Sequence, residues 1–262
     1  MINNIERIES LNTRLNAIPH LNLSKYLPYP PVREMIKELF QFNENDFYPY
    51  VTGFQDEKSK EHMANNWKGM CLIDSTVSGR HNIDYWCTEN NYDQLEFKLS
   101  ESGEPIYSPT DVGNLCPETV EYLYSICERP NKTRLSRIVA NGGSASWHSH
   151  KVLSDGGDEK FVKRGTVKYI LHIPLITNYR CFMGVSETNP IADLNAKKHW
   201  QRYQSGEIWI FNNYWYHNAV NQGQDHRDHI MMYVERDDEK LIPIIEKAVS
   251  EYQGPLITGE IL

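Results

Sequence analysis

The chain has 262 residues, of which 40% are hydrophobic and 24% charged, and it carries a formal net charge of -8 with a pI near 5.7. This composition is that of a globular protein long enough to bury its own core, and the acidic balance argues against nucleic acid as a partner. No apolar run approaches the roughly 20 residues that cross a bilayer, and no basic and apolar leader follows Met1. We therefore expect a cytoplasmic protein without membrane contact.

Five cysteines are spread along the chain without any Cys-x-x-Cys pair: Cys71, Cys87, Cys116, Cys127 and Cys181. We expect reduced thiols buried as small apolar groups rather than a disulfide framework. No linker rich in Pro, Gly or Ser divides the sequence, so we predict one domain covering residues 1–262.

The first half of the chain contains helical patterns and irregular stretches. Apolar side chains recur every three or four positions over residues 5–15 and over 32–40, and Pro30-Pro31 precede the second run as they do at helix starts. Residues 67–74 predict a short strand, and Pro117 begins a third helix. Residues 47–66 are polar and turn-rich without a pattern that assigns an element, and residues 75–104 are irregular, as a surface loop region is.

The second half is rich in Ile, Val, Tyr, Trp and Phe and predicts a run of strands. These cover residues 135–140, 167–175, 179–185, 206–212 and 228–235, with Asn141-Gly142-Gly143 as the turn after the first. Because no helical pattern separates them, they favour an antiparallel sandwich or barrel over a parallel sheet. We therefore predict an α+β protein with a helical and irregular part at about 1–130, a β-sandwich core at about 131–236 and a C-terminal helix at about 237–252.

Three histidines in the second half form a pattern typical of a metal site. His148 and His150 are two positions apart, so on a strand both side chains would lie on the same face and could reach one ion. His217 follows much later, after a strand-like run. Imidazole binds Zn, Cu, Fe and Ni, so the residue type leaves the metal open, and structural roles in the core remain an equal alternative.

Arg227 follows His217 by ten residues and begins the last predicted strand. If the strands on either side of the intervening turn pair as a hairpin, Arg227 returns to the side of His217. A buried guanidinium is costly unless an anion satisfies it, and a carboxylate of a small diacid would do so. The alternative is a surface arginine paired with Asp225 or Asp228.

Several segments also follow one another in an order found in a known enzyme family. They are Arg137 before Gly142-Gly143 and His148; His172-Ile173-Pro174-Leu175; Gly206-Glu207-Ile208-Trp209; His217-Asn218-Ala219-Val220-Asn221; and Arg227. In this order they resemble the 2-oxoglutarate and Fe(II)-dependent oxygenases of the aspartyl/asparaginyl β-hydroxylase-like family, which also includes the free-proline cis-hydroxylases. The match covers about residues 65–235, and the spacing from Gly206 through His217 to Arg227 is its most specific part.

The resemblance implies a double-stranded β-helix, a jelly-roll of the cupin type, with His148 and His217 as Fe(II) ligands. Arg227 would hold the far carboxylate of 2-oxoglutarate, and His172 would lie near this co-substrate. The implied reaction hydroxylates a C–H bond of an amino acid or of a residue in a peptide or protein, while 2-oxoglutarate is decarboxylated to succinate and CO2. No catalytic residue beyond the metal ligands is implied.

Two positions depart from the family pattern. His150 stands where many members have an aspartate, so the site would have three histidines, or two histidines and water, unless Asp155 or Asp158 supplies a carboxylate. Ile170 stands where members commonly have an arginine, and Lys168, on the same face of the predicted strand, could supply the missing charge to the co-substrate or substrate.

Other functions compete with the hydroxylase. A three-histidine site could serve a zinc hydrolase that acts through metal-bound hydroxide, and the two departures are also compatible with a non-catalytic binding protein that retains the fold. Four aromatic residues beside the ligand segments could form dry walls of the site or could pack in the core: Trp147, Trp209, Trp215 and Tyr216. The substrate stays open between a free amino acid, a carrier-bound amino acid and an Asp or Asn in a protein.

Overall fold

The computed structural model describes residues 4–49, 61–62, 65–77, 96–149, 169–211, 215–235 and 238–257. Its helices are α1 (Asn4–Asn16), α2 (Val32–Leu39), the short α3 (Asp111–Asn114), α4 (Pro117–Ile126) and α5 (Ile242–Ser250), with a 3-10 turn at Glu44–Asp46. A proline lies in the first turn of both α4 and α5, where its missing N–H costs nothing. None of the described helices is long and apolar enough to cross a membrane.

Twelve named strands lie within the described ranges. They are β1 (His20–Asn22), β2 (Tyr48–Pro49), β3 (Trp67–Asp74), β4 (Ser108–Pro109), β5 (Asn131–Ile138), β6 (Gly143–His148), β7 (Tyr169–Ile176), β8 (Cys181–Ser186), β9 (Lys198–Gln201), β10 (Trp209–Phe211), β11 (Tyr216–Asn221) and β12 (Arg227–Val234). Every recorded pair of these strands is antiparallel, which confirms the predicted sheet type.

The strands form two sheets. The major sheet has the order β1-β10-β7-β12-β5-β3-β2, with β4 paired to β3, and the minor sheet has the order β6-β11-β8-β9. Because successive side chains of a strand point to opposite faces, each strand of the major sheet has one face toward the helices and one toward the minor sheet. On β12, for example, Ile230, Met232 and Val234 belong to the cluster with the helices, whereas Met231 belongs to the cluster between the sheets.

Two apolar clusters hold these layers together. The larger one packs the helices against the outer face of the major sheet and includes Leu11, Leu123, Leu171 and Ile245. The smaller one lies between the sheets. Each fully buried Leu or Ile in these clusters contributes about 1.5–3 kcal/mol relative to exposure, so the larger cluster fixes the helices on the outer face of the major sheet.

The structure corrects some of the predicted boundaries. The strand expected at 135–140 begins earlier, at Asn131, and the one expected at 206–212 is only Trp209–Phe211, because Gly206 with φ +81° lies in a turn. The turn at Asn141-Gly142 is confirmed, since both residues have positive φ. The short strand β9 had no counterpart among the predictions.

The expected hairpin between the segments of His217 and Arg227 is wrong. β11 belongs to the minor sheet and β12 to the major sheet, so these consecutive strands cross from one layer to the other. Arg227 instead pairs with Ile138 of β5. The two residues therefore approach across the space between the sheets rather than along one ladder.

Four of the five cysteines lie in the described part of the chain, and all four are buried free thiols: Cys71, Cys116, Cys127 and Cys181. Burial raises the pKa of the Cys116 thiol to about 12 and also raises that of Cys127. The predicted structural role fits Cys116 and Cys127, because a protonated buried thiol is inert, and Cys71 and Cys181 are buried as well. Cys87 lies outside the described residues.

Candidate active site

A cavity lies between the two sheets. Its described lining combines apolar side chains with three histidines and two arginines and contains no Asp or Glu: Trp67, Arg134, Ser136, Ile138, Ala145, His148, Ile170, His172, Met183, Phe211, His217, Ala219, Arg227 and Met231. The cationic and imidazole groups come from both sheets, so this is the place where the predicted site residues meet.

His148 and His217 lie opposite each other in the minor sheet. They are direct register partners at the junction of β6 and β11, and their ring centroids are 4.2 Å apart. The ladder shifts register between His217 and Ala219, as at a β-bulge, a feature that often re-aims side chains beside functional sites. The two imidazoles are therefore close enough to share one ion.

Each of these histidines is oriented by its own strand. The Nδ1 of His148 lies 2.6 Å from the carbonyl oxygen of Ser146, and the Nδ1 of His217 lies 2.9 Å from that of Trp215, so each ring donates a hydrogen bond two residues back. In a neutral imidazole this donation leaves the lone pair on Nε2, which is the form that binds a metal. Burial lowers the pKa of His148 and the charge of Arg134 lowers it further, although the hydrogen bond to Ser146 opposes them.

Arg227 is buried, with 3% of its surface exposed, and begins β12 on the inner face of the major sheet. Its Nη2 donates to Nδ1 of His229 at 3.1 Å, and no carboxylate of the described residues lies within ion-pair distance of it. Burial lowers the pKa of Arg227 to about 10, which still leaves it charged at neutral pH. The alternative of a surface arginine is therefore wrong.

The aspartate that follows Arg227 belongs to another pair. Asp228 is fully buried and accepts two hydrogen bonds from Arg137, at 2.8 Å from Nε and 2.9 Å from Nη2. Arg137 also contacts Glu44 at 3.0 Å and lies over the ring of Phe47. Successive residues of β12 thus carry one guanidinium on the inner face and one carboxylate, already neutralised, on the outer face.

His172 lies on β7, two strands from Arg134, and its ring packs 4.7 Å from that of Phe211. Neither ring nitrogen has a hydrogen-bond partner within the described ranges, although His172 is only 2% exposed. Burial holds its pKa well below the usual 6.5, and the charges of Arg227 and Arg134 lower it further. A buried imidazole without a partner costs free energy, which a ligand with a hydrogen-bonding group would recover.

His150 and Lys168 lie outside the described residues, as do Asp155 and Asp158. In the described part of the chain no group of three or more His, Cys, Asp or Glu side chains is arranged to hold a metal. His148 and His217 are thus the two predicted ligands that the structure places side by side, and His150 as a third stays a prediction.

Three of the four aromatic residues considered as walls, Trp147, Trp209 and Trp215, pack away from the cavity, as the alternative of a packing role predicts. Trp209 stacks on Tyr203 with centroids 4.6 Å apart, and Trp215 donates to the carbonyl oxygen of Asn16 at 2.9 Å. Trp147 contacts Trp200 across the outer side of the minor sheet. The aromatic lining comes instead from Trp67 and Phe211.

Two polar residues of the site region were missed from the sequence. Arg134 lines the cavity from β5, and His229 supports Arg227 from the same strand face. The alternation of side chains along a strand could have indicated both residues. Arg134 shares a strand face with Ser136 and Ile138, and His229 shares one with Arg227. The predicted strand began at residue 135, which left Arg134 outside the pattern.

Residues 29–237 match the model of the family described as Aspartyl/Asparaginyl beta-hydroxylase. No curated protein matches the chain. Among solved structures, a 2OG-Fe(II) oxygenase family oxidoreductase from Burkholderia pseudomallei is similar, with 8% identity, 88% of this chain and 92% of that chain covered and a TM-score of 0.48.

Two further solved structures illustrate the range of similarity. A prolyl hydroxylase from Trichoplax adhaerens, in complex with a hypoxia inducible factor peptide fragment, has 13% identity, coverages of 95% and 96% and a TM-score of 0.42. Peruvianin-I, a cysteine peptidase from Thevetia peruviana latex, has 14% identity and a TM-score of 0.27, and the match spans 40% of this chain and 51% of that one. The family match covers most of the chain.

Proposed function

Because this chain belongs to the aspartyl/asparaginyl β-hydroxylase family, we propose that it is a 2-oxoglutarate and Fe(II)-dependent dioxygenase that hydroxylates a C–H bond of an amino acid or of an amino-acid residue. The two antiparallel sheets are then the two halves of a double-stranded β-helix. The observation that supports this most is the meeting of the His148–His217 pair and the buried Arg227 in one cavity.

The side chains that line the cavity fit both Fe(II) and 2-oxoglutarate. The Nδ1 atoms of His148 and His217 donate to backbone carbonyls, so in the neutral imidazole Nε2 is the atom left to bind Fe(II) among other metals. Arg227 is a buried cation without a carboxylate partner in the described ranges. Both ring nitrogens of His172 are buried there without a hydrogen-bond partner. A small dicarboxylic acid would satisfy both residues at once.

The roles of the side chains follow from these features. His148 and His217 would hold the iron, Arg227 would bind the carboxylate of 2-oxoglutarate remote from it, and His172 would hydrogen-bond to the same co-substrate. His229 accepts a hydrogen bond from Arg227 and so fixes the direction of the guanidinium. Trp67, Ile170, Phe211 and Met231 exclude water around these polar groups, which strengthens each electrostatic contact.

When bound, Fe(II) and 2-oxoglutarate supply an oxidant from O2: one oxygen atom enters the substrate as hydroxyl, the other enters succinate, and CO2 is released. The side chains of this protein orient the co-substrate and keep the C–H bond of the substrate in reach. His150 and Lys168 are proposed to contribute a third ligand and an additional cation.

The test is anaerobic addition of 2-oxoglutarate to the protein loaded with Fe(II), followed by exposure to O2. We expect a metal-to-ligand charge-transfer absorption before O2 and succinate afterwards, with one gained oxygen in a substrate found by mass spectrometry across amino acids and peptides. Tightly held zinc with no absorption change would contradict the proposal.

A further inference from the structure

His20 joins the edges of the two sheets. Its strand, β1, is the terminal strand of the major sheet beside β10, and β9 is a terminal strand of the minor sheet. The His20 side chain is 7% exposed, and its Nε2 lies 2.9 Å from the carbonyl oxygen of His199 on β9. Because these two strands belong to different sheets, this hydrogen bond links the sheets directly.

The tautomer of His20 follows from its two hydrogen-bond partners. A carbonyl oxygen only accepts, so Nε2 carries the proton, and in the neutral imidazole Nδ1 is left as the acceptor. Burial lowers the pKa of His20 to about 4, so the ring is neutral near pH 7. The hydroxyl of Tyr203, 2.8 Å from Nδ1, is therefore the donor. His20 thus holds the phenol of Tyr203 in one direction.

Tyr203 lies behind the imidazole that we assign to the co-substrate. It is 2% exposed, and its ring stacks on that of Trp209 with centroids 4.6 Å apart. The ring centroids of His172 and His229 lie 6.2 and 6.3 Å from that of Tyr203. Tyr203 and His20 are not among the side chains that line the cavity in the described part of the chain. Both would therefore act through these imidazoles rather than by touching a ligand.

His172 depends on packing for its direction. Neither of its ring nitrogens has a hydrogen-bond partner within the described ranges, so the neighbouring rings, among them those of Phe211 and Tyr203, orient it. If the phenol shifts, the imidazole can rotate, and a hydrogen bond weakens steeply once its donor and acceptor are misaligned. The direction of Tyr203 should therefore affect how tightly His172 binds a ligand.

We propose that His20 is a positioning residue of the 2-oxoglutarate site and acts through Tyr203 on His172. This inference rests on the proposed function and adds a residue to its site. The match to the family begins at residue 29, so the strand that carries His20 lies outside the matched residues.

Calorimetric titration of the anaerobic Fe(II) protein with 2-oxoglutarate tests this role without turnover. His20→Leu removes both hydrogen bonds and should raise the Kd about tenfold, while kcat at saturating co-substrate stays close to the wild-type value. His20→Gln can accept from the Tyr203 hydroxyl and donate to the His199 carbonyl, so it should restore the Kd. Tyr203→Phe should raise the Kd as His20→Leu does, and the two changes together should not add.

Ser24→Ala is the matched control. The Ser24 hydroxyl accepts a hydrogen bond of 2.8 Å from the N–H of Ile208, so this variant loosens the same segment without removing a partner of Tyr203. Its Kd should equal that of the wild type. An equal rise of the Kd in Ser24→Ala, or an unchanged Kd in His20→Leu, would overturn the positioning role. If His20→Leu does not fold, Tyr203→Phe, which lacks a single oxygen, decides in its place.

A second measurement uses the protein without metal or co-substrate. Because Tyr203 stacks on Trp209, near-UV circular dichroism reports the direction of the phenol. The signal should change in His20→Leu and return in His20→Gln, and an unchanged signal in His20→Leu would overturn this inference alone. A wild-type protein that fails to bind 2-oxoglutarate would overturn the proposed function and this inference with it.

Discussion

Replacing Arg227 by methionine should stabilise the protein without ligand and abolish its response to 2-oxoglutarate. The folded-state pKa of Arg227 is lowered from 12.5 to about 10, and this difference corresponds to a cost of about 3 kcal/mol for the buried charge. The cost applies at all pH values below about 10 and is relieved only as pH rises through that value, because there the folded protein can release the proton.

The net effect is smaller than this cost. Methionine loses the hydrogen bond to His229, which contributes about 1 kcal/mol, but retains the length of the side chain. We therefore expect the free energy of unfolding of the ligand-free variant to exceed that of the wild type by about 2 kcal/mol. With 2-oxoglutarate at a hundred times its Kd the wild type should gain about 3 kcal/mol, and the variant should gain nothing.

Urea unfolding of both proteins, with and without Fe(II) and 2-oxoglutarate under anaerobic conditions, measures these differences. Arg137→Met is the matched control, because Arg137 is also largely buried but is paired with the fully buried Asp228. Its loss leaves an unpaired carboxylate and should destabilise the protein by about 3–5 kcal/mol. If Arg227→Met destabilises the ligand-free protein as Arg137→Met does, Arg227 is a structural residue and the reasoning is refuted.

Three further outcomes are expected. His217→Gln should lower the iron bound per chain from one to near zero by metal analysis, whereas the partly exposed His226→Gln should leave it unchanged; equal losses would exclude His217 as a specific ligand. His229→Leu should raise the KM for 2-oxoglutarate about tenfold with little change in kcat, and His229→Asn, which offers an acceptor oxygen to Arg227, should restore it; failure of Asn to restore it would contradict a positioning role. Burial lowers the pKa of His20 to about 4, so its contribution to stability is complete above pH 6.5 and is lost as pH falls through 4. The wild type should therefore lose about 3 kcal/mol more than His20→Gln between pH 7 and pH 4 in urea titrations, and parallel curves would show that His20 does not titrate on unfolding.

Local sequence patterns were sufficient to predict most elements of the fold. Alternation of branched and aromatic residues located β7 and β12, and apolar spacing with an adjacent proline located α2 and α4. Local patterns did not predict which strands belong to which sheet. β11 and β12 are separated by a short turn yet belong to different layers, because the partners that hold them, β8 and β5, lie far away in sequence.

The candidate site was likewise predicted in part from local sequence, and the rest depends on strand pairing. The spacing and types of His148, His217 and Arg227 suggested residues that meet, and the structure brings these three to one cavity. Arg134 was missed because a charged residue at the start of a strand has the same local pattern whether its side chain reaches solvent or an enclosed space. Only the pairing of β5 with β12, at Arg134 and Met231, places that charge inside.

The hydrogen bonds from His148 to Ser146 and from His217 to Trp215 have a consequence for how the site is assembled. Each imidazole is aligned by a carbonyl two residues back in the chain, and β6 and β11 are adjacent partners, so the proposed pair of metal ligands lies on a single two-stranded ladder. Such a unit can capture an ion before the opposite sheet closes over it, which would couple metal uptake to the last stage of folding. Arg227 lies on the other sheet, so a substitution beside Arg227 can alter the anion-binding side of the cavity while the paired histidines stay in place.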